Sequence, residues 1–255
     1  MSGEEEHVVV EVADRVMVIT LNRPQKLNAI TPAMNASMDA AFADARSRDD
    51  VGVVLIKGNG RAFSAGADLG NAAAGGGTRH NAPADMVANR KRVQGLLDLW
   101  SFPKPVVAAV HGYCLGVASE LMACCDMVVV GENAKIGSPE TRTIALIPTL
   151  AFWPSSLGIA LTKDMLFTGR LLDGREAVAY GLAARVVPDA DVHTAALEIA
   201  KNIAEVPTAR LAVVKQSVNS WVEGTLIPAA LKGAEYHALF HQASEKIVDP
   251  SAGNS

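Results

Sequence analysis

Short valine-rich runs alternate with segments of helical period through the first two-thirds of the chain, which confines it to an α/β fold with parallel strands. Val8 to Val12 and Val16 to Leu21 flank Asp14-Arg15 and predict a hairpin. Thr31 before Pro32 supplies a helix cap and a proline at the first helical position; Met34, Met38, Ala41, Phe42 and Ala45 follow at helical spacing. Val51 to Lys57 reads as a buried strand ending at Gly58, and residues 70–85, rich in Gly, Ala and Asn, as a loop. A helix from about Ala84 to Trp100 is broken by Pro103 and Pro105, before a strand at Val106 to Val110. A helix from about Leu115 to Ala123 and strands at Met127 to Val130 and Ala184 to Val187 continue the alternation, with Asp173 and Glu176 spaced as a capping box.

After Pro188 the pattern turns helical, with breaks expected near Pro207 and Gly224. Val213, Val214, Val218, Trp221, Leu226, Ala230, Leu231, Ala234, Leu239 and Phe240 supply apolar surface. Such a tail packs on its own core or on a neighbouring subunit, and both readings stay open.

At 255 residues the chain buries a core without staples, and 49% hydrophobic against 20% charged residues excludes wholesale disorder. A net charge of −4 argues against a nucleic-acid coat. The three cysteines, Cys114, Cys124 and Cys125, make a poor disulfide framework and fit a reducing compartment. No apolar run approaches the ~18 residues of a membrane span, and the acidic start from Met1 to Glu6 lacks signal-peptide character. A cytoplasmic protein without membrane or nucleic-acid partners is expected.

Several catalytic motifs fail. Gly58-Asn59-Gly60 lacks the third glycine of a dinucleotide loop, since position 63 is Phe63. There is no Gly-x-Ser-x-Gly, His-Glu-x-x-His or Cys-x-x-Cys. His237 and His241 stand four apart on a predicted helix, but no third ligand accompanies them and no metal site is expected.

Three stretches remain. In Phe63-Ser64-Ala65-Gly66-Ala67-Asp68-Leu69, small residues after a strand let the backbone approach a ligand and aim N–H groups at developing charge. From His111 to Met122 a glycine-punctuated turn enters a helix, whose Glu120 sits among Leu115, Val117, Ala118, Leu121 and Met122. A carboxylate there must be paired, exposed or functional. Gly137-Ser138-Pro139-Glu140 adds a second carboxylate at a turn, and two carboxylates can divide acid and base work. A structural role for each glutamate remains open on the residues alone.

Together these stretches resemble the crotonase family, the enoyl-CoA hydratase/isomerase superfamily. The resemblance starts at Asn22-Arg23-Pro24-Gln25-Lys26-Leu27-Asn28-Ala29-Ile30 and ends with Phe167-Thr168-Gly169-Arg170 and Gly174-Arg175-Glu176-Ala177, so it spans nearly the whole chain. It implies a spiral of strand-strand-helix units over residues 1–200 and a helical trimerisation region over 201–255, assembled as a trimer or a dimer of trimers. It implies an acyl-CoA substrate whose thioester oxygen is held by the backbone N–H groups of Ala65 and Val117. Glu120 then acts as base toward water and Glu140 delivers the α-proton, with no metal or redox cofactor; coenzyme A enters only as part of the thioester. Lys26, Leu27, Gly66, Ala67, Asp68 and Leu69 match the segments along the coenzyme-A path, and Arg23 and Lys26 are candidates to meet its phosphates.

The chain departs from the family pattern twice. Gly116-Val117-Ala118 replaces a run of glycines, and Pro148-Thr149-Leu150-Ala151-Phe152-Trp153 replaces a glycine-rich turn. Phe152 and Trp153 are expected to reshape the acyl pocket, with burial in the core as the alternative. Hydration of a 2-enoyl-CoA is the first reading because both glutamates are present. Double-bond isomerisation is its nearest rival, and a non-catalytic protein binding a CoA ester, RNA or a partner is the rival from another class.

Overall fold

A computed structural model describes residues 6–68, 70, 82–139 and 152–243, the side chains at 82–85 and 237–243 excepted. Strands β1 (Val8–Ala13) and β2 (Val16–Leu21) pair antiparallel from Val8–Leu21 to Ala13–Val16. Asp14 and Arg15 between them both have positive φ, 50° and 63°, the turn handedness that matches strand twist. Helix α1 (Pro32–Ser47) opens as expected, with the Thr31 side chain accepting from the Met34 N–H at 3.1 Å.

β3 (Val53–Gly58), α2 (Ala82–Trp100), β4 (Val106–Val110), β5 (Tyr113–Leu115), α3 (Val117–Ala123), β6 (Met127–Gly131) and β7 (Lys135–Gly137) follow. Helices α4 (Phe152–Leu157), α5 (Ile159–Thr168) and α6 (Gly174–Ala179) lead to β8 (Arg185–Val187), then α7 (Val192–Ala204) and α8 (Thr208–Ala243). The main sheet has the order β1-β2-β3-β4-β6-β8 and is parallel from β2 onward. The capping box forms in full, Asp173 accepting from the Glu176 N–H and Glu176 accepting from the Asp173 N–H.

Both faces of the central strands are covered, so their residues sort by parity into two cores. Val53, Leu55, Val107, Ala109 and Val129 face α7, which buries Val192, Ala196, Ala200 and Ala204 at four-residue spacing. Val54, Ile56, Val106, Ala108, Val110, Val128 and Val130 face the other way, onto α1, α2 and α3.

β5 and β7 form a second, two-stranded parallel sheet. Bridges from Ile30 to Ala67, Ser64 to Cys114 and Ile136 to Leu172 extend that layer. Each of its strands has only three residues, too few for a periodic signal, so residues expected to open a helix at Leu115 instead end a strand.

The expected break at Gly224 does not occur: α8 runs through it and through Pro228. Leu226, Ala230 and Ala234 are buried on one face, Asn219 donates to the Trp100 carbonyl at 3.1 Å, and Arg90 pairs with Glu235 at 2.8 Å. That packing offsets the roughly 1 kcal/mol a helical glycine costs. Val213, Val214, Val218 and Trp221 stay exposed, Trp221 at 90%.

Candidate active site

The loops that follow β3 and β4 at their carboxyl ends, where open parallel sheets place their ligands, carry the candidate site residues. After β3 the chain passes through Phe63 to Asp68, and after β4 through His111 into β5 and α3. The two loops lie side by side, Ser64 N–H donating to the Tyr113 carbonyl at 2.9 Å and Leu115 N–H to the Ser64 carbonyl at 3.1 Å. Gly66 has φ 93°, and a Cβ there would stand 2.7 Å from the Leu115 carbonyl oxygen, so only glycine lets the loops approach this closely.

Gly116, with φ 54°, turns the chain into α3 and donates to the Gly137 carbonyl at 2.9 Å. Val117 is the first helical residue, and its N–H has no acceptor among the described residues. Its β-branched side chain packs against the core. Ala65 differs: its N–H donates to the Leu27 carbonyl at 2.9 Å. Of the two N–H groups expected to hold the thioester oxygen, that of Ala65 is engaged and that of Val117 has no acceptor among the described residues. Leu27 and Asn28 both have positive φ, 49° and 54°, a conformation that side chains resist. The Asn28 amide holds it in place, donating to the carbonyls of Ala62 at 2.8 Å, Phe63 at 3.2 Å and Asn59 at 2.9 Å. Its oxygen accepts from the Arg23 N–H at 2.8 Å.

Glu120 lies one helical turn after Val117, only 1% exposed. Arg92 of α2 approaches it, Nη2 standing 4.0 Å from Oε2. No sequence motif flags Arg92, because Arg90-Lys91-Arg92 reads as a solvated charge run. The available signal is its place at i, i+4 and i+7 with the buried Leu96 and Leu99.

The Arg23 guanidinium is held inside the protein, donating to Asp68 at 2.9 Å and to the Ala29 carbonyl at 2.6 Å. It braces the loop that carries Ala67 and Asp68, whereas Lys26 is exposed. Phe152 and Trp153 are 1% and 0% exposed, with Phe152 stacked obliquely 5.5 Å from Trp100, so the core alternative describes their surroundings. Glu140, Leu69 and residues 148–151 lie outside the described residues, as do the side chains of His237 and His241.

Cys114, Cys124 and Cys125 are buried, and burial pushes all three thiols above their usual range, which makes them poor nucleophiles. No group of three or more metal-ligating side chains occurs among the described residues, and no described helix is long and apolar enough to cross a membrane.

Comparison with known proteins shows the family. The enoyl-CoA hydratase/isomerase family model matches residues 11–247. A probable enoyl-CoA hydratase of Mycobacterium tuberculosis is 33% identical over 245 residues, 93% of this chain and 90% of that protein. The 2,3-dehydroadipyl-CoA hydratase of Escherichia coli is 33% identical over 224 residues, 86% of this chain and 84% of that one. The crystal structure of an enoyl-CoA hydratase/isomerase from Xanthobacter autotrophicus superposes with a TM-score of 0.89 at 29% identity, over 94% of this chain and 88% of that one. By sequence and by fold, the chain belongs to the enoyl-CoA hydratase/isomerase family, also called the crotonase family.

Proposed function

We propose that this protein adds water across the 2,3 double bond of an enoyl-CoA thioester to give the 3-hydroxyacyl-CoA. The observation that carries the reading is the buried carboxylate of Glu120, one turn from the unbonded N–H of Val117 at the same helix end. The thioester oxygen gains charge as water attacks C3, and a main-chain donor aimed at that oxygen lowers the barrier where it counts. Glu120 takes a proton from water as the oxygen bonds to C3. The π electrons pass to the enolate, which Val117, and Ala65 once it leaves Leu27, hold by hydrogen bonds. Glu140, protonated at the outset, gives its proton to C2, and proton exchange with solvent then resets both carboxyls. Neither a metal nor a redox cofactor takes part in these steps, and coenzyme A is part of the substrate.

The coenzyme-A path follows Lys26, Leu27, Gly66, Ala67, Asp68 and Leu69, with Gly116 at its inner end. Lys26, exposed beside the loop that Arg23 braces, is the cation for the phosphates of the ligand. The exposed stripe of Val214, Val218 and Trp221 supports self-association as a trimer or a dimer of trimers. Three buried free thiols agree with a reducing, cytoplasmic setting.

The test is a panel of trans-2-enoyl-CoA esters of different chain length, followed by the loss of enoyl-thioester absorbance and identification of the product. Formation of 3-hydroxyacyl-CoA from at least one ester is expected. Double-bond migration without hydration, or binding without turnover across the panel, would overturn the proposal.

A further inference from the structure

Arg92 presents a feature that the two-glutamate scheme leaves unused. It projects from α2 beside the buried Leu96 and Leu99, and its side chain is 32% exposed. Its Nε and Nη2 atoms are nevertheless buried, and neither has a hydrogen-bond partner among the described residues. These two nitrogens lie on one edge of the planar guanidinium, where their N–H bonds run nearly parallel and converge readily on oxygen. Buried donors of this kind are ordinarily satisfied, so an unbonded edge at a reaction site points to a ligand atom.

The position of that edge defines the atom. Nη2 stands 4.0 Å from Glu120 Oε2, beyond the roughly 2.7–2.9 Å of a direct charge-assisted bond. A separation of 4.0 Å lets one oxygen lie within hydrogen-bond distance of both groups. An oxygen there accepts from arginine, which has only donors, and must itself donate to an ionised carboxylate, which has only acceptors. A carbonyl or carboxylate oxygen carries no proton to donate. Water and a hydroxyl group satisfy both sides.

We propose that Arg92 is a further catalytic residue, whose Nε/Nη2 edge holds the oxygen that becomes the 3-hydroxyl while Glu120 accepts its proton. The assignment rests on the hydratase reading and extends it. As Glu120 removes the proton, the oxygen gains hydroxide character and the guanidinium stabilises it; the O–C3 bond forms, the π pair moves to the thioester enolate, and Glu140 gives its proton to C2 last. Arg92 stays protonated throughout, because its pKa lies far above neutrality. In the reverse direction the same edge steadies the departing hydroxyl.

Arg92→Leu and Arg92→Lys test this, with folding checked by circular dichroism and thermal melting. Two readouts are compared with the wild type: kcat for hydration of trans-2-hexenoyl-CoA, and calorimetric affinity for 3-hydroxyhexanoyl-CoA against hexanoyl-CoA. For Arg92→Leu the expected result is a fall in kcat on the order of a hundredfold. Affinity for hexanoyl-CoA stays within about twofold, and the wild-type preference for the hydroxylated ester disappears, since only that contact is removed. Arg92→Lys restores part of both, by charge without the fork. An unchanged kcat overturns the assignment, and so does equal weakening of both esters with the hydroxyl preference retained, which marks a structural role. If the wild type hydrates no enoyl ester, the hydratase reading falls by itself. The hydroxyl preference then decides Arg92 alone: its loss in Arg92→Leu upholds the oxygen contact, and its absence in the wild type ends it.

Discussion

The main-chain N–H of Ala65 donates to the carbonyl of Leu27 at 2.9 Å, so the second N–H proposed for the thioester oxygen is engaged by the protein's own backbone. Leu27 sits there in left-handed conformation, φ 49°, clamped through the buried Asn28. A thioester oxygen competes with that carbonyl for the Ala65 proton, and its growing charge in the transition state makes it the stronger acceptor. Binding of hexanoyl-CoA is therefore expected to shift the amide resonances of both Val117 and Ala65 in a nitrogen-15 correlation spectrum. An Ala65 amide unmoved at saturation would leave Val117 as the only donor.

Trp153 is wholly buried and belongs to the same core as Phe152. Trp153→Ala is expected to destabilise the fold by about 3–5 kcal/mol, the usual cost of removing a large buried ring. The order in which the enzyme prefers short, long and branched enoyl-CoA esters should stay as in the wild type. Chemical denaturation and a substrate panel check both parts; a changed ranking with unchanged stability would return the ring to the acyl pocket.

Much of this architecture is written locally. The Asp14-Arg15 turn, the Thr31-Pro32 cap and the Asp173/Glu176 capping box each depend on residues within a few positions of one another, and all three form. β5 and β7 escaped because three residues carry no period, and Gly224 misled because burial of Leu226, Ala230 and Ala234 overrides local propensity. Ordered motifs pointed to Val117 and Glu120. They could not reveal that Ala65 bonds Leu27, or that Arg92 reaches Glu120, because both relationships join segments distant in sequence. Phe152 and Trp153 have the composition of a pocket wall, but the helix they begin turns them into the core.

The stripe of Val214, Val218 and Trp221 leaves apolar surface in water on one face of α8. Light scattering at micromolar concentration should give three or six times the chain mass of 26.7 kDa. Trp221→Glu puts a charge on that face and should shift the population toward monomer. A monomeric wild type would contradict the assembly.

His193 and His111 stand with Nε2 and Nδ1 3.2 Å apart. Burial first, then His111 and Lys57, lower the His193 pKa from 6.5 to about 4. The unfolded chain therefore takes up this proton at higher pH than the folded one, and stability present above pH ~6.5 falls as pH drops toward the folded value. Urea midpoints should decline through that window, and His193→Asn should flatten the decline. An unaltered slope would mean that other groups set it.

Glu120 is proposed as the base that activates water, and oxygen-18 water follows that step itself. The wild type should convert a trans-2-enoyl-CoA into 3-hydroxyacyl-CoA carrying the label at C3. Glu120→Gln keeps the side chain's shape but cannot take the proton, so labelling should slow by about 10²–10⁴-fold with the melting temperature nearly unchanged. Labelling by Glu120→Gln at the wild-type rate, or a wild-type product without oxygen-18 at C3, would contradict the account.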